Sequence, residues 1–161
     1  MKKITLKINK ATVYDEVSKT SAYEGVKGSD ETMALYDKVF VTDAEREQIE
    51  RYWCEACSNL TAVLARWADS VSEHHIGNPP DLSEDFVAQC SMNDSFNEML
   101  VPSTCNFLTQ YAIDYILAKW FAMTDMDKAA RYELTAAAAL DESRKNIIVR
   151  IKRKRRVCHP F

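Results

Sequence analysis

The sequence predicts a mainly α-helical domain of the α+β class: a bundle of about three long helices, with short N- and C-terminal strands that can pair in a small antiparallel sheet. Three observations carry this. Only 3 Gly and 4 Pro punctuate 161 residues, so tight turns are scarce and long helices are favoured. Apolar residues from Ile49 to Val71 recur mostly at steps of three and four, and Phe107 to Met123 is apolar on nearly every side. At the two ends, Ile4, Leu6 and Ile8, and then Ile147, Val149 and Ile151, follow the two-residue period of a strand with one buried face. Apolar residues at 47% and charged residues at 28% exclude wholesale disorder. A chain of this length buries roughly two thirds of its unfolded surface, so a core forms without disulfides.

Along the chain, Thr12 followed by Val13, Asp15 and Val17 predicts a short capped helix that ends before the loop signal at Gly25 to Asp30. Met33 to Phe40 has no clean period and stays open. Thr42-Asp43-Ala44-Glu45 reads as a capping box, in which the Thr hydroxyl accepts from the third helical amide and the Glu carboxylate reaches back to the cap. From Asp43 to Val71 the resulting helix would be about 43 Å long at 1.5 Å per residue. Gly77-Asn78-Pro79-Pro80 marks the main internal loop, because two prolines remove amide donors and bar the helical region to the residue before them.

Phe86, Ala88, Cys90 and Met92 alternate as a second strand, Asn93-Asp94-Ser95 looks like a helix start, and Pro102 marks a kink or a fresh cap. Phe107 to Met123 is the expected central helix. A cap at Thr124-Asp125 then turns the chain into an antiparallel helix from about Asp125 to Lys145, whose Ala136 to Ala139 let a neighbouring helix approach closely. Met1 to Lys10 has no secretory character. Gln110, Asp114 and Lys119 make the most apolar run too polar for a lipid-facing span, so neither export nor membrane insertion is expected.

Charge is polarised. Residues 1–143 hold 13 basic and 24 acidic residues, a balance of -11, while the last eighteen carry +8. The expected organisation is a single helical domain over 1–149 with a basic arm over 150–161. Arg150, Lys152, Arg153, Lys154, Arg155 and Arg156 place six cations in seven residues, which is the one feature with an evident ligand class. Such a run neutralises phosphates in a salt-sensitive way, or it meets an acidic protein surface.

Sites for chemistry are sparse. Trp53-Cys54-Glu55-Ala56-Cys57 has the spacing of thioredoxin-like redox centres, but the pair lies about three turns inside a helix, where the N-terminal dipole cannot stabilise a thiolate. Cys54 and Cys57 with His74 and His75 could supply four zinc ligands, yet adjacent histidines diverge, whereas zinc fingers separate them by three to five residues. The plainer reading makes Cys54, Cys57, Cys90, Cys105 and Cys158 small apolar residues with free thiols. The histidines, at 74, 75 and 159, fall in a loop or the tail, where no scaffold is expected to hold a catalytic base. Asp114 is the carboxylate whose burial would raise its pKa, with Tyr111, Lys119 or an Arg as the expected structural partner. No catalytic residue, cofactor or resident metal is expected.

The opening Met1-Lys2-Lys3-Ile4-Thr5-Leu6-Lys7-Ile8, the Thr42-Asp43-Ala44-Glu45 start with Tyr52-Trp53, and Tyr115-Ile116-Leu117-Ala118-Lys119-Trp120-Phe121 turning at Thr124-Asp125 resemble small proteins of prophage structural clusters of gut bacteria. The helix pair from Phe107 to Lys145, with Tyr132 and its alanine-rich second helix, resembles helical neck proteins of tailed phages, the adaptors or connectors between portal ring and tail. This resemblance implies a non-enzymatic assembly protein. It would act in the virion, or in the bacterial cytoplasm during assembly, as a homo-oligomer or ring contacting portal or tail proteins. The alternative is a nucleic-acid-associated protein that uses the basic arm.

Overall fold

The computed structural model describes residues 1–27, 43–74 and 84–151. These form β1 (Lys2–Ile8), α1 (Lys10–Lys27), α2 (Asp43–Leu64), β2 (Ala68–Val71), β3 (Phe86–Met92), a 3-10 turn (Glu98–Leu100), α3 (Val101–Phe121) and α4 (Met126–Ile148). The mainly helical class holds, with four helices among the described residues and a three-stranded antiparallel sheet in the order β1-β3-β2. In the sheet, Ile4 lies opposite Cys90, Leu6 opposite Ala88 and Ile8 opposite Phe86. Directly opposed residues share a face, so these six side chains form one buried layer beneath the helices.

α3 is the hub. It packs against α1, α2 and β1 on one side and against α4 on the other, and among the described elements α4 has no other substantial neighbour. The hairpin is antiparallel: Asn146 of α4 hydrogen-bonds Ser103 at the start of α3 (3.2 Å), and Tyr132 stacks on Phe121 at its end (centroids 5.6 Å apart). Asp125 caps α4 as expected, accepting from the amides of Asp127 and Lys128, each at 3.2 Å. Ala136 and Ala139 are the buried members of the alanine run, and they let α4 settle closely on α3.

Several expectations are corrected. The C-terminal strand does not form, because α4 continues through Ile147 and Ile148 and first becomes extended at Val149 (φ -59°, ψ 134°). Ile147 is buried in the helix interface, while Val149 and Ile151 are exposed, so their alternation carries no buried face. β1 therefore pairs with β3 and not with the chain end, which makes a single bridge, Arg150 to Phe96, and one amide bond from Ile151 to the Ser95 carbonyl (2.8 Å).

α2 stops at Leu64, well short of Val71. Residues 68–71 instead take the open edge of β3, with the Ser91 amide bonded to the Trp67 carbonyl (2.9 Å). Trp67 and Val71 continued the helical stripe only because a four-residue step also suits a strand, and pairing with β3 decides between the two.

α1 is a long helix. It starts at Lys10, where Asn9 Oδ1 accepts from the Thr12 amide (2.9 Å), and it runs through Gly25. Asn9, not Thr12, is thus the cap. Asn93-Asp94-Ser95 forms a side-chain-closed turn, with the Ser95 amide bonded to Asn93 Oδ1 (3.0 Å), and the next α-helix begins at Val101 with Pro102 in its first turn. The expectations for Gly28 to Thr42 and for the Gly77 to Pro80 loop lie outside the described residues. No helix among those described is long and apolar enough to cross a membrane.

Candidate functional site

Among the described residues, two places bury a charged side chain, Lys10 in one and Asp114 in the other. The first joins α1 to α2 and was not anticipated. Lys10 is fully buried, and its ammonium donates to Glu50 Oε1 at 2.7 Å while lying 5.7 Å from the centre of the Tyr14 ring. The Tyr14 hydroxyl donates to the other oxygen of Glu50. Burial first, and then the Glu50 carboxylate, push the Tyr14 phenol far up, so it stays protonated. Asp85 closes the start of α1 from outside the helix, accepting the Lys10 amide (3.0 Å) and pairing with Lys7 (2.8 Å). Burial alone would raise the Asp85 carboxyl, but the Lys7 and Lys10 hydrogen bonds outweigh it and hold it below its ordinary range. Lys10 sits at the first helical position, where sequence periodicity does not mark it as a core residue.

Cys54 and Cys57 lie one turn apart on α2 beside this cluster, both buried. Burial raises both thiols, and the neighbouring Glu50 raises them further, so the environment opposes the thiolate that redox chemistry needs. Among the described residues no group of three His, Cys, Asp or Glu is placed to hold a metal ion. His75, Cys158 and His159 lie outside them.

His74 is better held than its loop position predicted. It is edge-on to Trp53 (5.9 Å), stacked on Phe86 (6.1 Å), and 2.9 Å from the Ser72 hydroxyl through Nε2. The same hydroxyl accepts the Val87 amide (2.9 Å), which ties the contact into the strand pairing of β2 and β3.

The second place is a groove between α3 and α4, with a cavity volume of about 400 Å³. Phe107 and Tyr132 form apolar walls, Ala138 is an exposed small residue on the α4 side, Asp114 lies at depth, and Glu142 is at the rim. Asp114 is only 3% exposed. Its partner is Gln110, whose amide donates to Oδ1 at 2.9 Å, and not Tyr111 or Lys119. Tyr111 instead takes a hydrogen bond from Asn59 (3.1 Å), and Lys119 lies over the Tyr115 ring (5.5 Å). Burial raises the Asp114 carboxyl, while hydrogen bonds from Gln110 and Thr135 pull it back in part.

Of the predicted contact residues, Arg150 is described. It is exposed, and its guanidinium donates to the carbonyls of Ile147 (2.9 Å) and Val149 (3.5 Å), where the negative end of the helix dipole favours a cation. Lys152, Arg153, Lys154, Arg155 and Arg156 lie outside the described residues.

The chain matches no protein-family model, no curated protein and no solved structure. The α1–α2 cluster is enclosed and internally paired, which suits a structural tie. The α3–α4 groove opens to solvent and combines apolar walls with a carboxylate.

Proposed function

We propose that this chain is a non-enzymatic assembly protein that self-associates, acting as a neck component between the head and the tail of a tailed phage. One observation carries the self-association: among the described elements α4 packs substantially only on α3 and leaves large apolar groups in solvent. Met126 is 72% exposed and Leu134 73%, and Ile148 and Ile151 remain uncovered at the far end. A helix backed on one side and apolar on another is suited to a second protein surface. The acidic body and basic arm suit head-to-tail contacts, since heterologous interfaces that close generate rings. The neck assignment, with portal or tail proteins as partners, follows from the resemblance of the helix pair to phage connectors. Buried thiols and an enclosed Lys10–Glu50–Tyr14 cluster are in keeping with a role that performs no chemistry on a small molecule.

Light scattering after size exclusion, at low and moderate salt, tests this reading. Oligomers of the 18.4 kDa chain are expected. A strict monomer that also fails to bind portal or tail proteins encoded beside it would overturn the proposal.

The six cations between Arg150 and Arg156 favour a second reading, association with nucleic acid. Retention on DNA at low salt should then vanish when residues 150–161 are deleted, and unchanged retention would remove this alternative.

A further inference from the structure

Resting on the assembly reading, we propose that the groove between α3 and α4 seats the C-terminal arm of a second copy of this chain, with an arm cation against Asp114 and Glu142. The groove is built for a mixed occupant. Phe107 and Tyr132 give it apolar walls, and Asp114 and Glu142 give it two carboxylates with no cation among the lining residues. Glu142 at the rim pairs with Lys145 of its own helix (2.5 Å), so the carboxylate that holds no ion pair among the described residues is the buried Asp114, bonded to the neutral Gln110. The arm supplies the complement. Lys152, Arg153, Lys154, Arg155 and Arg156 are followed by Val157, Cys158, His159, Pro160 and Phe161, so cations and an aromatic end lie on one short segment.

Length agrees. From Phe107 to Asp114 the groove follows seven residues of helix, about 10 Å, which is the span of about three extended residues. Ten residues follow Ile151, with a reach of about 33 Å, so an arm can fill the groove and still bridge the gap between two subunits.

The path of the chain favours a neighbour's groove over its own. Val149 leaves the helix in an extended conformation, and Ile151 is hydrogen-bonded to Ser95, in the turn after β3. That anchor holds Ile151 to a residue outside the groove lining. A buried carboxylate meeting a cation within apolar walls also makes the contact selective, since a carboxylate removed from water is most favourable when paired.

The test uses the full chain. Equal amounts of unlabelled and nitrogen-15-labelled protein are mixed and treated with a carbodiimide, which joins a lysine amine to a nearby carboxylate. Cross-links from Lys152 or Lys154 to Glu142 or Asp114 that combine both isotopes are expected. Cross-links confined to one isotope would place the arm in its own groove and overturn the proposal, as would their absence.

A second variant, Ala138→Trp, fills the groove from an exposed position and should leave the circular dichroism unchanged. We expect self-association at least tenfold weaker, roughly 1.4 kcal/mol. Native-like oligomers of Ala138→Trp would overturn the arm seating and leave the assembly reading standing. A parent protein that is monomeric would remove both.

Discussion

Replacing Lys10 with Met tests whether the α1–α2 tie is a buried ion pair in energetic fact. Met keeps the apolar stem in its enclosed slot, so packing is largely retained and the charge alone is removed. Glu50 is then left with 13% of its side chain exposed and with the Tyr14 hydroxyl as its remaining donor from this cluster. Removing one member of a buried pair typically costs about 3–5 kcal/mol. Because Glu50 keeps some solvent and Tyr14, the lower part of that range applies, about 3–4 kcal/mol. For a chain of this size each kcal/mol lowers Tm by about 2–4 °C, so a fall of roughly 6–16 °C is expected. The double variant Lys10→Met with Glu50→Gln removes both charges and keeps an acceptor for Tyr14, and it should recover about 1–3 kcal/mol of the loss. Urea titrations of the parent, both single variants and the double variant measure the cycle. A Lys10→Met loss below about 1 kcal/mol, as expected of an exposed pair, would refute the argument.

Asp114 gives a prediction with a defined pH sign. Its folded pKa is raised by burial, so the native state holds the proton more tightly than the unfolded chain, and ionisation costs stability above the folded value. Asp114→Asn should therefore stabilise the subunit at pH 7, with the advantage shrinking as pH falls and vanishing below the unfolded carboxyl value of about 3.9. Denaturant titrations at pH 7, 5 and 3.5 check this, and an advantage undiminished at pH 3.5 would count against it. The thiols give another. Burial raises Cys54 and Cys57 and pushes Cys90 up to about 11, so alkylation at pH 8 should leave all three unmodified until the protein unfolds, as read by peptide mass mapping. Rapid labelling of Cys54 or Cys57 in the native protein would contradict the enclosed cluster.

The parts of the fold legible in the sequence are those where local chemistry and tertiary packing agree. β3 alternates strictly from Phe86 to Met92, Asp125 is a strong cap before a helical run, and α3 is apolar around most of its circumference, so each could be read without knowledge of its neighbours. The misread segments are those where a remote partner decides. Residues 68–71 carry apolar groups at steps that fit a helix or a strand, and the open edge of β3 selects the strand. Ile147 to Ile151 alternate as a strand would, yet α3 offers Ile147 a buried helical position and no strand edge among the described residues takes Val149. The candidate sites divide in the same way. The burial of Asp114 followed from its place in an apolar helix, and its partner Gln110, one turn earlier on the same helix, was within reach of an i,i+4 reading that favoured Tyr111 and Lys119 instead. Lys10 was invisible because a lysine at a helix start normally reads as exposed, and its partner Glu50 lies forty residues away.

The two effects of Asp114 have opposite signs, and this separates a carboxylate kept for assembly from one that is merely tolerated. Within one subunit its ionised form is a liability, since Gln110 and Thr135 only partly offset the loss of water. On the proposed seating, a lysine or arginine from a neighbouring arm supplies the missing counter-charge, so the cost falls when copies associate. Asp114→Asn should then raise the stability of the isolated subunit and weaken the association of subunits, two readouts from one substitution. A purely structural Asp114 would move the first and leave the second untouched. The free energy that burial stores at this residue is thereby returned at the contact between copies, where apolar residues along α4 already lack cover.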